Sequence, residues 1–227
     1  MKSNQHSHLV FLALFLIVFA GLAGCKTSTY KRGDAAARSL QNAAAEVQIQ
    51  SRDLNITMSS LEYLINKPAA DLRPQFKQFG KNLDRLEASA RRNEKAAQAA
   101  LEKNALYLAS WDLQITNMNY EVVRSRSQAR RTEVAERFKS VHQRYAETRT
   151  TMQPLLVYLK DIRRALGSDL TPGGLQSVKP IVANARENAQ KVQTALNQLT
   201  KELADSGARL SSSTIQNSAN PTNVAAH

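Results

Sequence analysis

The sequence predicts an all-α protein, an elongated antiparallel bundle of about four long helices with coiled-coil packing. Two observations predict it. Apolar residues recur in alternating steps of three and four over long stretches, the spacing of one narrow helical stripe. Residues that break helices or favour sheet are scarce in the 227-residue chain, with 8 glycines, 6 prolines and 6 % aromatics.

Residues 1–8 are polar with Lys2, residues 9–20 are almost wholly apolar, and Leu22-Ala23-Gly24-Cys25 closes the run with small residues and the only cysteine. This is the pattern of a signal segment ending in a bacterial lipobox. The apolar run falls short of the roughly 20 residues a bilayer-spanning helix needs. The expected product loses residues 1–24 and carries fatty acyl chains on Cys25. Burial of acyl methylenes at about 0.8 kcal/mol each makes such anchoring durable. Lys26 supplies no inner-membrane retention signal, so the expected location is the bacterial envelope, at the periplasmic face of the outer membrane. Residues 25–32 read as a lipidated tether.

Gly33-Asp34 before Ala35-Ala36-Ala37 reads as a helix start. The first helix then runs to Asn66 on a seam of Ala37, Leu40, Ala44, Val47, Ser51, Leu54, Met58, Leu61 and Ile65. Lys67-Pro68 ends it, because the proline ring disfavours helical geometry in the preceding residue. The second helix begins near 69–71 and reaches Thr116. Its seam is Leu72, Phe76, Phe79, Leu83, Leu86, Ala90, Asn93 and Ala97, drifting to Leu101, Leu108 and Ile115 beside Trp111 as at a stutter. Asn117-Met118-Asn119 reads as the turn.

The third helix, about 120–166, has the cleanest seam: Val134, Phe138, Val141, Tyr145, Thr148, Met152, Leu155, Leu159, Ile162 and Leu166. Pro154 should bend it without ending it, and Gly167 should cap it. Thr171 then reads as N-cap and Pro172 as first residue of the fourth helix, whose seam runs Val178, Val182, Ala185, Ala189, Val192, Leu196, Leu199, Leu203, Ser206 and Leu210. The helical domain spans 33–211, and 212–227, polar with almost no apolar residues, reads as a flexible tail. Short connections between long helices force antiparallel neighbours.

The pattern resembles an uncharacterised family of bacterial lipoproteins with a helical coiled-coil domain of unknown function. The residues that carry the likeness are Gly33-Asp34-Ala35-Ala36, Trp111-Asp112, the spacing of Arg124, Ser127 and Arg131, and Leu159-Lys160-Asp161-Ile162 leading to Leu166 and Asp169-Leu170-Thr171. The resemblance implies an envelope protein and a bundle. It implies no activity and no catalytic residue.

The formal charge of +12 suits anionic surfaces such as phospholipid headgroups or wall polymers, and an envelope location removes nucleic acid from consideration. His6 and His8 fall in the segment expected to be removed, and His227 ends the tail. One remaining histidine, His142, assembles no metal site and no catalytic triad, so no enzyme, metal or cofactor is expected.

Arg124, Arg126, Arg130 and Arg131 open the third helix, and heptad counting back from Val134 sets Arg131, Ser127 and Arg124 on the seam. One reading is a solvated seam where the bundle is two helices thick. The other is a polar groove for an anionic lipid headgroup or wall fragment, supported by Trp111 and Asp112. Trp111 also suits a core aromatic plugging the turn. The first helix rises about 50 Å and the second returns about 70 Å, so the turn should overshoot and bring these arginines level with Lys26, Lys31 and Arg32. Asp112 is expected to pair with Arg124. The partners that fit are the membrane through the N-terminal lipid, a protein partner, a second copy of the chain, or an anionic lipid or wall polymer.

Overall fold

The computed structural model describes residues 28–212. The signal segment, Cys25 and Lys26 lie outside the described residues, as does all of the tail but Ser212. Four helices follow one another: α1 (Thr29–Asn66), α2 (Arg73–Thr116), α3 (Glu121–Ser168) and α4 (Pro172–Leu210). They form a square in cross-section. α1 packs on α2 and α4, and α3 packs on the same two from the opposite corner. At 1.5 Å per residue the longest, α3, is about 72 Å, so the bundle is a rod.

The fourth boundary is the one the sequence marks best. Thr171 Oγ1 accepts from the Gly174 N–H at 3.2 Å and donates to Asp169 Oδ1 at 2.7 Å, with Pro172 opening the helix. Glycine is required at 174, since a Cβ there would stand 2.1 Å from the Asp169 carbonyl oxygen. Three other boundaries differ from expectation. α1 starts at Thr29, so residues 29–32 belong to the helix and not to a tether. None of them breaks a helix, Thr29 Oγ1 donates to the Ser110 carbonyl at 3.3 Å, and Gly33 is buried against Tyr107. α2 starts at Arg73 because residues 67–72 form a braced connection. There the Asp71 carboxylate takes the Arg73 N–H at 3.1 Å and its guanidinium at 2.9 and 3.0 Å. Gln75 meanwhile bonds Ala69 and Lys67. Gly167 does not cap α3, which runs through it and through Pro154 to Ser168.

All nine expected seam residues of α1 are buried, and so is a second column, Ala36, Ala43, Gln50, Thr57 and Leu64, repeating every seven residues. The second column faces α2. Asn93 Nδ2 donates to Gln50 Oε1 at 2.6 Å, Thr57 Oγ1 donates to the Asn82 carbonyl at 3.1 Å, and Arg85 meets the buried Asp53 at 3.3 Å. The first column turns toward α4, where Ser51 Oγ donates to Asn197 Oδ1 at 3.1 Å and Gly207 lets the backbones close in beside Ala37. Polar pairs of this kind have few alternative registers in which both members are satisfied, so they fix the axial alignment of the helices.

On α2 the expected drift comes later than Leu101: the heptad holds through Ala100, and only Ile115, buried eleven residues beyond Asn104, lies off it as after a stutter. Phe79, Leu86, Asn93 and Ala100 are buried at strict heptad spacing, with Asn104 below them, whereas Leu101 and Leu108 are only half-buried. Small residues face inward here because α1 presents Gly33, Ala36 and Ala43, allowing close approach, and the leucines flank the contact. α3 and α4 bury their expected seams, with Tyr145 and Leu210 half-buried at the edge. Fully buried leucines at 40, 54, 61, 64, 83, 86, 159, 166, 196 and 199 each contribute about 1.5–3 kcal/mol relative to exposure.

Ion pairs cross every adjacent pair of helices: Arg92–Glu46 at 3.2 Å, Arg163–Asp84 at 2.6 Å, Arg144–Glu202 at 2.7 Å and Arg186–Glu62 at 3.4 Å. Exposed pairs are worth about 0–1 kcal/mol each, so they favour the register more than they add stability.

Candidate functional site: the overhanging end of α2 and α3

Axial registers decide the shape of one end of the rod. Thr29 lies beside Ser110 and Gly33 beside Tyr107, so α2 continues past the start of α1 by six residues, about 9 Å. α4 stops on the other side, where Ser212 binds Asp34. The expected overshoot of the α2–α3 turn is therefore present, and this end is a two-helix hairpin standing proud of the four-helix body.

The four arginines of the hairpin split by helical angle. Arg131, Ser127 and Arg124 take seam positions and are partly covered, while Arg126 and Arg130 are exposed. α3 has no buried residue before Val134, because neither α1 nor α4 extends over its first three turns. The hydrogen-bond partners differ from expectation. Arg131 Nη2 donates to Asp112 Oδ2 at 2.8 Å across the hairpin, and Arg124 binds Glu121 one turn behind it. Asp112 thus pairs with Arg131 and not with Arg124, since Glu121 on the same helix captures Arg124 locally. Arg130 donates to Glu133 at 2.5 Å. Together with Arg137 it holds the Glu133 carboxyl below the usual carboxylate range.

Trp111 closes the hairpin. Its indole N–H donates to Ser127 Oγ at 2.9 Å, and its ring lies 5.4 Å from Tyr107 at 35°. Burial raises the Tyr107 phenol above its ordinary value, against the pull of Arg130. Trp111 is half-buried and joins the edge of the core, so it sits as an aromatic plug near the turn, tethered by one polar bond.

Two small clefts, partly open to solvent, lie where α2 and α3 meet α1. One of about 30 Å³ is lined by Gln50, Asn93, Tyr145, Thr148 and Met152 among others, and one of about 20 Å³ by Leu40, Ala100, Asn104, Phe138 and His142 among others. Asn93 Oδ1 and Asn104 Oδ1 have no protein partner. A cleft of this size with such a lining suits one or two waters and no organic substrate. Tyr145 borders both clefts, and burial first, then Glu94, pushes its phenol up to about 12. Among the described residues no three His, Cys, Asp or Glu side chains group to hold a metal ion, and no helix is long and apolar enough to cross a membrane.

What the sequence did not single out at this end is its apolar surface. Leu113, Tyr120, Val122 and Val123 surround the turn and are all exposed. They follow no helical period, so no periodicity reveals them.

These features define a class: an elongated antiparallel four-helix bundle with one overhanging, arginine-rich hairpin end. Residues 25–212 match the family described as protein of unknown function (DUF2959), and the chain belongs to it. No curated protein matches the chain.

Proposed function

We infer that the protein is a non-enzymatic envelope lipoprotein of bacteria, a helical rod anchored through Cys25 that has a structural or interaction role. In this reading residues 1–24 are removed as a signal segment and the rod stands at the periplasmic face of the outer membrane. The observation that carries it is Leu22-Ala23-Gly24-Cys25 closing an apolar run. α1 beginning at Thr29 supports it further, because only a few residues then separate the acylated cysteine from a rigid helix. The polar faces of the rod are the surface offered to a protein partner, to the wall or to a second copy.

Mass spectrometry of the membrane fraction tests the anchor. The mature chain should begin at Cys25 with acyl mass, and Cys25→Ala should abolish it. A protein retaining residues 1–24 without acyl mass would refute the reading.

The second reading, an anion-binding groove at Arg124, Arg126, Arg130 and Arg131, has less support. Glu121, Glu133 and Asp112 occupy three of the four guanidinium groups, which leaves little uncompensated charge to hold a discrete anion.

A further inference from the structure

The five most exposed large apolar side chains among the described residues are Tyr120 at 80 %, Val122 at 73 %, Leu113 at 67 %, Tyr30 at 61 % and Val123 at 56 %. All five lie at the overhanging end. Scattered exposed apolar residues are normal, whereas a cluster at one extremity marks a contact surface. The opposite end, around residues 63–72 and 169–171, exposes of its large apolar side chains Tyr63 alone, at 55 %, keeps Leu72 and Leu170 partly covered and is braced by the Asp71–Arg73 pair. We propose that the α2–α3 hairpin tip is a membrane-docking surface that inserts Leu113, Tyr120, Val122 and Val123 into the interfacial region of an anionic phospholipid bilayer.

Charge placement selects this occupant. Arg126 lies four residues along α3 from Val122, about 6 Å behind the tip, and belongs to none of the ion pairs of this end, so its charge is uncompensated, whereas Arg130 and Arg131, about 12 to 14 Å behind the tip, share theirs with Glu133 and Asp112. With the apolar side chains sunk about 5–10 Å into the headgroup boundary, these guanidinium groups stand at phosphate depth, where arginine snorkels and tyrosine is enriched. Arg124 neutralises Glu121, the carboxylate nearest the tip, so that acid does not oppose insertion. Chain length points to the same surface, and this part rests on the lipid-anchor reading. Three residues from Ser28 back to Cys25 span at most about 10 Å, matching the overhang of about 9 Å. A chain segment of that length is long enough for an acylated cysteine to share the plane of the hairpin tip, and a rod held at both would have two points of attachment in place of one swivel.

The test uses the full chain purified and reconstituted into phosphatidylcholine vesicles containing phosphatidylglycerol. An environment-sensitive fluorophore is placed on Val122→Cys or, as control at the far end of α1, on Tyr63→Cys. Emission from position 122 should shift to the blue and be quenched severalfold more by spin-labelled lipid than emission from 63. Leu113→Asp with Val123→Asp in the same labelled chain should remove the difference, with helicity by circular dichroism unchanged. Equal quenching at 122 and 63 overturns the proposal. So does a blue shift at 122 that needs no vesicles and grows with protein concentration, which would assign the tip to a second copy. Equal quenching at 122 in vesicles lacking phosphatidylglycerol overturns the part assigned to the arginines. Acyl mass on Cys25 is read on the same preparation: its absence with 122 still quenched sinks the anchor and leaves the tip, and its presence with 122 unquenched does the reverse.

Discussion

Ser212 donates its backbone N–H and its hydroxyl to the two carboxylate oxygens of Asp34, each at 2.8 Å, tying the end of α4 to the second turn of α1. The clasp joins residues 178 apart in sequence and stops the four-helix body at the level where the hairpin begins to overhang.

The backbone N–H of Ser212, then its hydroxyl, hold the Asp34 carboxyl below its ordinary 3.8, because both donate to the ionised form. A carboxyl whose folded pKa is depressed adds stability above its unfolded value and loses it as pH falls through the folded one. The clasp should be closed at neutral pH and open only in strong acid. At neutral pH Asp34→Ala should expose the last turn of α4, so that trypsin cuts after Arg209 severalfold faster with little change in melting temperature. An unchanged cleavage rate would refute the clasp.

Asp53 and Arg85 form an asymmetric pair, the carboxylate side chain 3 % exposed and the guanidinium 66 %. Removing the outer partner strands a buried charge, whereas neutralising the inner one does not. Arg85→Ala should cost about 1–3 kcal/mol, and adding Asp53→Asn should recover most of it. Urea denaturation of the two single variants and the double variant measures this. A double variant no more stable than Arg85→Ala counts against a stranded charge.

On α3, Phe138→Ala and Leu159→Ala should each cost about 2–5 kcal/mol, as both side chains are buried in the central cluster. Arg137→Ala should cost under about 0.5 kcal/mol, since its partner Glu133 is a neighbour on the same exposed face. Lys160→Ala should lie between them, at about 1 kcal/mol, because Lys160 reaches Glu87 of α2 at 3.0 Å. Melting temperatures that fail to separate the two core variants from Arg137→Ala would refute the packing of α3.

The helices α3 and α4 were legible because each buries one stripe made mostly of large aliphatic residues. α1 was legible on one side only. Its second buried column passes through Gln50 and Thr57, with Asp53 beside them, and polar residues carry no hydrophobic period. On α2 the leucines at 101 and 108 drew the seam off the true line through Ala100 and Asn104, since hydrophobicity does not report how close two backbones come. The overhang followed from helix lengths, as lengths survive errors of a few residues. The partner of Asp112 did not follow, because spacing along one helix leaves the side-chain register between two helices open. Arg124 also had a carboxylate of its own three residues back.

The overhang should behave as the least stable part of the rod, and Trp111 makes this measurable. Ahead of Val134, α3 buries nothing, and Ile115 is buried apart from the central cluster. The hairpin end thus depends on Ile115, the Trp111–Ser127 hydrogen bond and the Asp112–Arg131 pair. Ser127→Ala leaves a half-buried indole N–H without its acceptor, at a cost of about 1 kcal/mol, and Asp112→Ala adds roughly 0.5 kcal/mol by freeing Arg131. A loss of about 1.4 kcal/mol corresponds to tenfold in an opening equilibrium. Amide exchange over residues 111–131 should therefore quicken about tenfold in the double variant, while exchange through 178–203 and the global melting temperature stay as in the wild type. Trp111 is the only tryptophan, so its emission should shift to the red in step with the exchange. Exchange that quickens equally along α4 would mean that the hairpin opens only with the whole bundle, and the overhang would then not be an independent unit.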